Sequence, residues 1–393
     1  MAIVELGQLH DSEAIRESDY RVWRADESVC GIIARCSKRS AGVPEADGRN
    51  GTARLRLIER IWRGDDALSR AARVALFPVE AGYRAVTSAR GWMYEHELLS
   101  IERSKIPVVS IGNLSVGGTG KTPFTAWIAS ELLRRGQRPA VVLRGYGGDE
   151  VLVHQRLNPE IPVVVEARRA DGIARAAQMG ATVAVLDDAF QHRAAAREID
   201  IALVAAEQWG GSHRLLPAGP WREPLSALRR ASLVVITRKT ADSSRVSAVS
   251  DAITREAPRV PQVVVRFSLS GLRSASDQSH QESLSLASMA GRSVAAIAGI
   301  AEPNLFFEQL GGRGAIVVAH PFPDHHKYSS DDITHVLATS GARDALIVCT
   351  LKDAVKLAPI WPATAPSLWY VLQAIEVETG EDTLAELLSR ITP

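Results

Sequence analysis

The stretch "VVSIGNLSVGGTGKTPFTAW", residues 108–127, carries side chains of the right type and order to hold a triphosphate. Gly117, Gly118 and Gly120 let backbone N–H groups converge on phosphate oxygens, and a helix starting just after them would add its positive end. Lys121 can reach the β- and γ-phosphates, and the Thr122 hydroxyl can ligate Mg²⁺. With Thr119 between them, these residues form the expected nucleotide-binding set. The general pattern G-x-x-x-x-G-K-[ST] has glycine where Ser115 stands. That glycine serves turn geometry rather than a phosphate contact, and serine tolerates many turns.

A second acidic element follows. "ATVAVLDDAFQH" is an apolar strand ending in Asp187 and Asp188. In phosphate-loop enzymes such a strand delivers an aspartate to Mg²⁺ beside the triphosphate, and a hard cation prefers oxygen ligands. Three other clusters can complete a site. Asp149 and Glu150 follow a strand in "LRGYGGDE", where they can act as base and metal partner or simply solvate a turn. Arg222 sits in the Pro/Gly-rich "HRLLPAGPWREP" and can neutralise charge in transfer, or lie on the surface. "HPFPDHHKYS" brings Asp324, His325 and His326 together. A histidine beside a carboxylate can orient a general base. Two adjacent histidines with one aspartate are poor metal spacing. These residues imply an ATP- or GTP-using, Mg²⁺-dependent protein: a kinase, a ligase or a nucleotide switch.

The elements that must position these groups are legible as alternating short apolar runs and helical stretches. "IPVVSIGN", "RPAVVLRGY", "IPVVVEA", "ATVAVLDD", "DIALVAA" and "LVVIT" read as strands, with helices in "KTPFTAWIASELLRRGQ" and "ADGIARAAQMG". This pattern predicts an α/β fold: a P-loop NTPase-like, mostly parallel sheet flanked by helices. A second α/β set from "VVVRFSL" to "EDTLAELLSRI" predicts a smaller α/β domain, with a boundary near residues 240–260. The resulting organisation is a poorly ordered extension over 1–52, a basic amphipathic segment over 53–106, a phosphate-loop domain over 107–245, and the smaller domain over 246–393. The 53–106 segment reads as two helices with basic faces, broken or kinked at Pro78.

Composition bounds the partners. The 393 residues carry a net charge of +1, with no basic patch interleaved with aromatics, so no nucleic-acid partner is expected. Cys30, Cys36 and Cys349 suit a reducing compartment without a disulfide framework. No uncharged apolar run is long enough to span a bilayer.

Taken together and in order, "SVGGTGKTP", "LRGYGG", "GDE", "LDDAFQH", "RLLPAGPWREP", "AGIAEPNLFF", "FPDHHKY" and "TLKDAVKL" resemble the tetraacyldisaccharide 4′-kinases of lipid A biosynthesis. Serine at the head of the loop is that family's form. The resemblance covers about residues 55–390. It implies transfer of the ATP γ-phosphate to the 4′-hydroxyl of a tetraacyldisaccharide 1-phosphate, forming lipid IVA. It further implies a peripheral position on the anionic cytoplasmic face of the inner membrane, and a hinge between two domains with the site in the cleft. It places the family's base and histidine partner on Asp149 and His325, its metal and phosphate residues on Thr122, Asp187, Asp188 and Glu150, and further site positions on Gln191, His192, Arg222 and Arg169. The chain departs from the family in fusing "RGYGG" to "GDE" without the usual insert, in Ala189 for a glycine, and in Leu351 for a carboxylate. The rival readings are a phosphate-loop switch ATPase and another small-molecule kinase. The switch proteins commonly carry an early loop lysine, and Val116, Gly117 and Gly118 supply none.

Overall fold

A computed structural model describes residues 57–145, 148–210, 213–277, 282–340 and 345–391. The expected 1–52 extension lies outside them. The described residues belong to one compact unit, Arg49–Pro393. Residues 57–63 are helical, and a long helix, α1 (Ala67–Glu95), follows. The break between them is at residues 64–66, where the Asp66 side chain caps the Ser69 N–H, and Pro78 lies inside α1. The break expected at Pro78 is thus displaced. Proline removes one backbone bond, here to the carbonyl of exposed Val74, and water can satisfy that carbonyl.

Nearly continuous runs of buried β-branched residues make strands covered on both faces. Six of them, β1 (Val108–Asn113), β2 (Pro139–Leu143), β3 (Val163–Val165), β4 (Val183–Leu186), β5 (Ile199–Ala205) and β6 (Leu233–Arg238), run parallel in the order β6-β5-β1-β4-β2-β3. Helices α2 (Lys121–Arg134), α3 (Gly148–Leu157) and α4 (Arg169–Gln178) form the crossovers near the site. The boundary region at 240–260 holds α5 (Ser243–Glu256), which leads into β7 (Gln262–Ser274), and β7 pairs parallel to β6.

β7 is thirteen residues long and joins two halves, each acting as a sheet of its own, of one continuous twelve-stranded sheet among the described residues. Its first half, residues 262–266, pairs with β6. From Val264 to Ser274 it pairs antiparallel with β12 (Leu368–Thr379). A two-residue edge strand, β8 (Ser283–Leu284), pairs with its far end. Beyond β12 lie β11 (Leu346–Cys349), β9 (Ser293–Ala298) and β10 (Ile316–Pro321), all parallel to β12 and so reversed relative to β1–β6. β11 meets β12 only at residues 368–370, opposite the far end of β7. The second sheet therefore lies further along the ribbon, with its strands pointing back. The carboxyl ends of the two sheets face each other, and ligands bind at such edges.

Candidate active site

The phosphate loop leaves β1 and enters α2 through Gly120, whose φ of 88° favours glycine. A Cβ there would also lie 2.8 Å from the Phe267 ring. Ser115 is buried and forms a bridge with Trp221. Val116 N–H donates to Pro220 O at 2.8 Å, and Arg222 N–H to Leu114 O at 2.7 Å. The loop's first residues are thus paired with the "PWR" segment as a strand would be, which requires extended backbone rather than a glycine turn. Gln191 Nε2 donates to Asn113 O at 2.7 Å, and the Thr237 hydroxyl donates to Thr119 O at 3.1 Å, fixing the loop from both sides.

Asp187 and Asp188 leave β4 beside the loop. Asp187 is fully buried and accepts from Thr125 Oγ1 at 3.1 Å and the Asp188 N–H at 2.9 Å, while its other oxygen lies 3.1 Å from His154 Nε2. Burial alone would raise its carboxyl, but the bond and charge of His154, with Lys121 and a Thr122 hydrogen bond, hold it below the usual range. Asp188 sits with φ at 48°. Arg222 Nη1 contacts its two oxygens at 3.1 and 3.2 Å, and Lys121 Nζ lies 3.7 Å away. Burial again opposes ionisation, and Lys121 and Arg222 outweigh it. Glu150 behaves differently. Burial and the neighbouring Asp187 charge push its carboxyl up, as expected of a carboxylate crowded by others.

Asp149 and Glu150 stand in the first turn of α3, where carboxylates suit the helix dipole. Helix α3 is anchored at its other end by Arg156 Nη2, which donates to Ser274 O at 3.2 Å. From the opposing sheet, the loop after β10 brings His325 in with φ at 58°. Its Nδ1 lies 3.1 Å from Asp149 Oδ2. Burial raises the Asp149 carboxyl, but the His325 bond and the Lys352 charge bring it below its ordinary value. The same bond raises the His325 imidazole, against burial and Lys352. Asp149 and His325 are 176 residues apart in the chain. They meet because the two carboxyl edges face each other.

The structure groups the expected residues: Lys121, Thr122 and Arg222 lie around Asp187 and Asp188, Glu150 feels the charges of Asp187, Asp188 and Asp149, and Asp149 meets His325. Arg169 is buried, and its Nη atoms donate to the carbonyls of Val142, at 3.2 Å, and Asp187. His192 is held down to about 4 by burial and then by the Arg169 charge. His326 turns away to Asp332 at 3.1 Å, beside the capping box of α7 (Ser330–Thr339). (The helix before it, α6, is Pro303–Gly311.) Sequence reasoning missed His154, Thr125 and Lys352. His154 stands four residues after Glu150 on one helix, a spacing that could have flagged it. Lys352, within "TLKDAVKL", lies in α8 (Leu351–Leu357), 3.1 Å from His325 Nε2.

A family model described as tetraacyldisaccharide-1-P 4′-kinase matches residues 72–150 and 147–392. The chain belongs to the tetraacyldisaccharide 4′-kinase family. The two matched stretches meet within the fused "LRGYGGDE". A tetraacyldisaccharide 4′-kinase from Anaeromyxobacter dehalogenans (strain 2CP-C) is 37% identical over 362 residues, spanning 84% of this chain and 94% of that protein. Another from Anaeromyxobacter sp. (strain Fw109-5) is 38% identical over 362 residues, spanning 85% and 96%. The solved LpxK of Aquifex aeolicus, an "apo" form in complex with ATP, superposes with a TM-score of 0.64 at 27% identity, covering 82% of this chain and all of that one. As a tetraacyldisaccharide 4′-kinase family member the chain is a phosphotransferase, which sets aside the switch-ATPase reading.

Proposed function

We propose that this chain transfers the γ-phosphate of ATP to the 4′-hydroxyl of a tetraacyldisaccharide 1-phosphate, giving lipid IVA, with Asp149 taking the hydroxyl proton. The observation that carries this is the 3.1 Å contact between Asp149 and His325, which joins the two sheet edges over the phosphate loop. A sugar hydroxyl is a poor nucleophile at neutral pH. A carboxylate within reach removes its proton as the bond to phosphorus forms. His325 orients that carboxylate. Gly117, Gly118, Thr119 and Gly120 cradle the triphosphate, and Lys121 holds its β- and γ-oxygens. Lys121 and Arg222 share Asp188 in the free protein, and both turn to the transferring phosphoryl group when it arrives. Gln191, His192 and Arg169 line the acceptor side.

The donor set fits Mg²⁺. Thr122 bonds Asp187, and Glu150 is a buried carboxylate that a cation would ionise. Among the described residues no three His, Cys, Asp or Glu side chains form a ready-made cage. Mg²⁺ characteristically binds through one or two carboxylates with phosphate and water completing its shell. Thr122, Asp187, Asp188 and Glu150 would hold it. When bound it would neutralise charge on the β- and γ-phosphates.

Helix α1 supports contact with an anionic inner membrane. It turns Ser69, Glu80 and Tyr94 inward and leaves Leu68, Val74, Phe77, Val79, Val86 and Trp92 exposed. Arginines lie between them, a composition suited to an interface. No helix among the described residues is long and apolar enough to cross a membrane.

The test is transfer of label from γ-labelled ATP to a disaccharide monophosphate lipid, abolished by chelation and restored by Mg²⁺. Asp149→Asn should lower kcat by about 10²–10⁴ with little change in KM for ATP. Acceptor-independent hydrolysis alone would contradict the kinase reading, and a near-normal kcat in the variant would remove Asp149 from the base role.

A further inference from the structure

The geometry points to Lys352 as the positioning residue that sets the tautomer of His325, an assignment that rests on the Asp149–His325 reading above. Lys352 Nζ lies 3.1 Å from His325 Nε2 and 3.2 Å from Asp324 Oδ1. A lysine ammonium has three donors and no lone pair. Nε2 must then be the lone-pair nitrogen, so the ring's single proton is on Nδ1. Nδ1 is the atom 3.1 Å from Asp149 Oδ2. Only this tautomer donates to Asp149 and leaves the carboxylate ionised, with its other oxygen free for the acceptor hydroxyl. The opposite tautomer would aim a lone pair at a carboxylate.

Lys352 is not a loose surface lysine. It lies in the first turn of α8, and the next residue, Asp353, is fully buried. Asp353 accepts from Tyr328 Oη at 2.9 Å, Thr350 Oγ1 at 2.7 Å and the Gly299 N–H at 3.1 Å. These bonds tie α8 to the loop that carries His325. α8 also packs against α3, which carries Asp149. One helix therefore fixes the lysine, the histidine loop and the neighbourhood of the base relative to one another. Asp324 also holds the ammonium, through Oδ1 at 3.2 Å, and its Oδ2 lies 3.9 Å from His325 Nε2, so the lysine stands between that carboxylate and the ring nitrogen as the nearer partner of both.

The experiment is ¹⁵N NMR of the full chain labelled at histidine, with the His325 ring assigned by its loss in His325→Gln. Wild type should show the Nδ1–H tautomer at neutral pH, and Lys352→Met should shift it toward Nε2–H. The same variant should lose at least about tenfold in kcat, since forcing the wrong histidine tautomer in a serine-protease triad costs about 10⁴. KM for ATP should stay within about twofold. Adding Lys352→Met to His325→Gln should cost nothing further, because the lysine acts through the ring. An Nε2–H or doubly protonated ring in the wild type overturns the assignment. So does an unchanged tautomer in Lys352→Met, or a fully additive double variant, which would place the lysine on the transferred phosphate instead. If His325→Gln itself keeps a normal kcat, the Asp149–His325 reading fails and not this one alone.

Discussion

Asp188 and His325 stand on opposite sides of the cleft, and both have left-handed backbone, at φ 48° and 58°. That conformation costs an ordinary residue about 1–2 kcal/mol, though aspartate and histidine tolerate it best. Strain of this kind persists where surrounding contacts over-determine it. His192 carries a different cost. Burial, then Arg169, hold its imidazole at about 4, against about 6.5 in an unfolded chain. Between those values the unfolded chain binds a proton that the folded chain refuses, so stability falls as pH falls through this window. His192→Gln removes that penalty. Its Tm should drop less than the parent's between about pH 7 and pH 4.5, and equal drops would show that His192 titrates normally. At this scale the sequence was most readable where chemistry is local. The loop from Gly117 to Thr122 and the pair Asp187–Asp188 are each contiguous. Lys352 was not readable, because its role depends on a histidine 27 residues away.

Helix α1 does more than present an apolar surface. Glu80, buried on its inner face, accepts the Leu215 N–H at 2.9 Å and Arg214 Nη1 at 3.1 Å. Tyr83 Oη donates to the Arg222 carbonyl at 2.9 Å, and Trp62 Nε1, just before α1, donates to Pro217 O at 3.0 Å. The segment carrying Arg222 is thus held between α1 and the phosphate loop. Glu80→Ala leaves a buried N–H unpaired, a loss of about 1–3 kcal/mol. Urea unfolding should show that loss, and kcat should fall more than the affinity for ATP, because Arg222 shifts while Lys121 does not. A variant with full kcat would show that the segment holds its shape without α1. The strands were legible because burial on both faces makes them unbroken apolar runs. Two helices were not. α5 is written in serines and alanines with few apolar residues, and α3 opens with Gly-Asp-Glu, which also writes a turn. Acidic residues in a first turn are equally a helix signal, and only the pairing of β2 with its neighbours decides between the two.

What the whole molecule adds is the ribbon that sets the two carboxyl edges face to face. Val263, Val265 and Phe267 of β7 enter the core of the first sheet, whereas Leu269 and Leu272 enter the core of the second. The inward positions change from odd to even numbers along the strand. The register explains the change: Gly271 pairs with Leu372 and Leu269 with Gln373, so Ser270 is an extra residue, a β-bulge. Leu269, before the bulge and at an odd position, already enters the second core; the bulge turns Leu272 into that same core and re-aims the end of the strand. The local alternation around "VVVRFSLSGLRS" gives no sign of this, since apolar residues occur at both parities. For the same reason no spacing rule could have joined Asp149 to His325; family resemblance suggested the pair, and the ribbon supplies the physical cause. Deleting Ser270 would restore a single parity and turn Leu272 away from its core. The phosphate-loop half lies before the bulge and should still bind ATP. The His325 loop would no longer meet Asp149, and misplacement by about 1 Å costs about 10² in rate. The deletion variant should therefore bind ATP, measured by calorimetry, yet transfer phosphate at least about 100-fold more slowly than the parent. Transfer at the parental rate would mean that the two halves find each other without the bulge, and that the Asp149–His325 contact owes nothing to the ribbon's geometry.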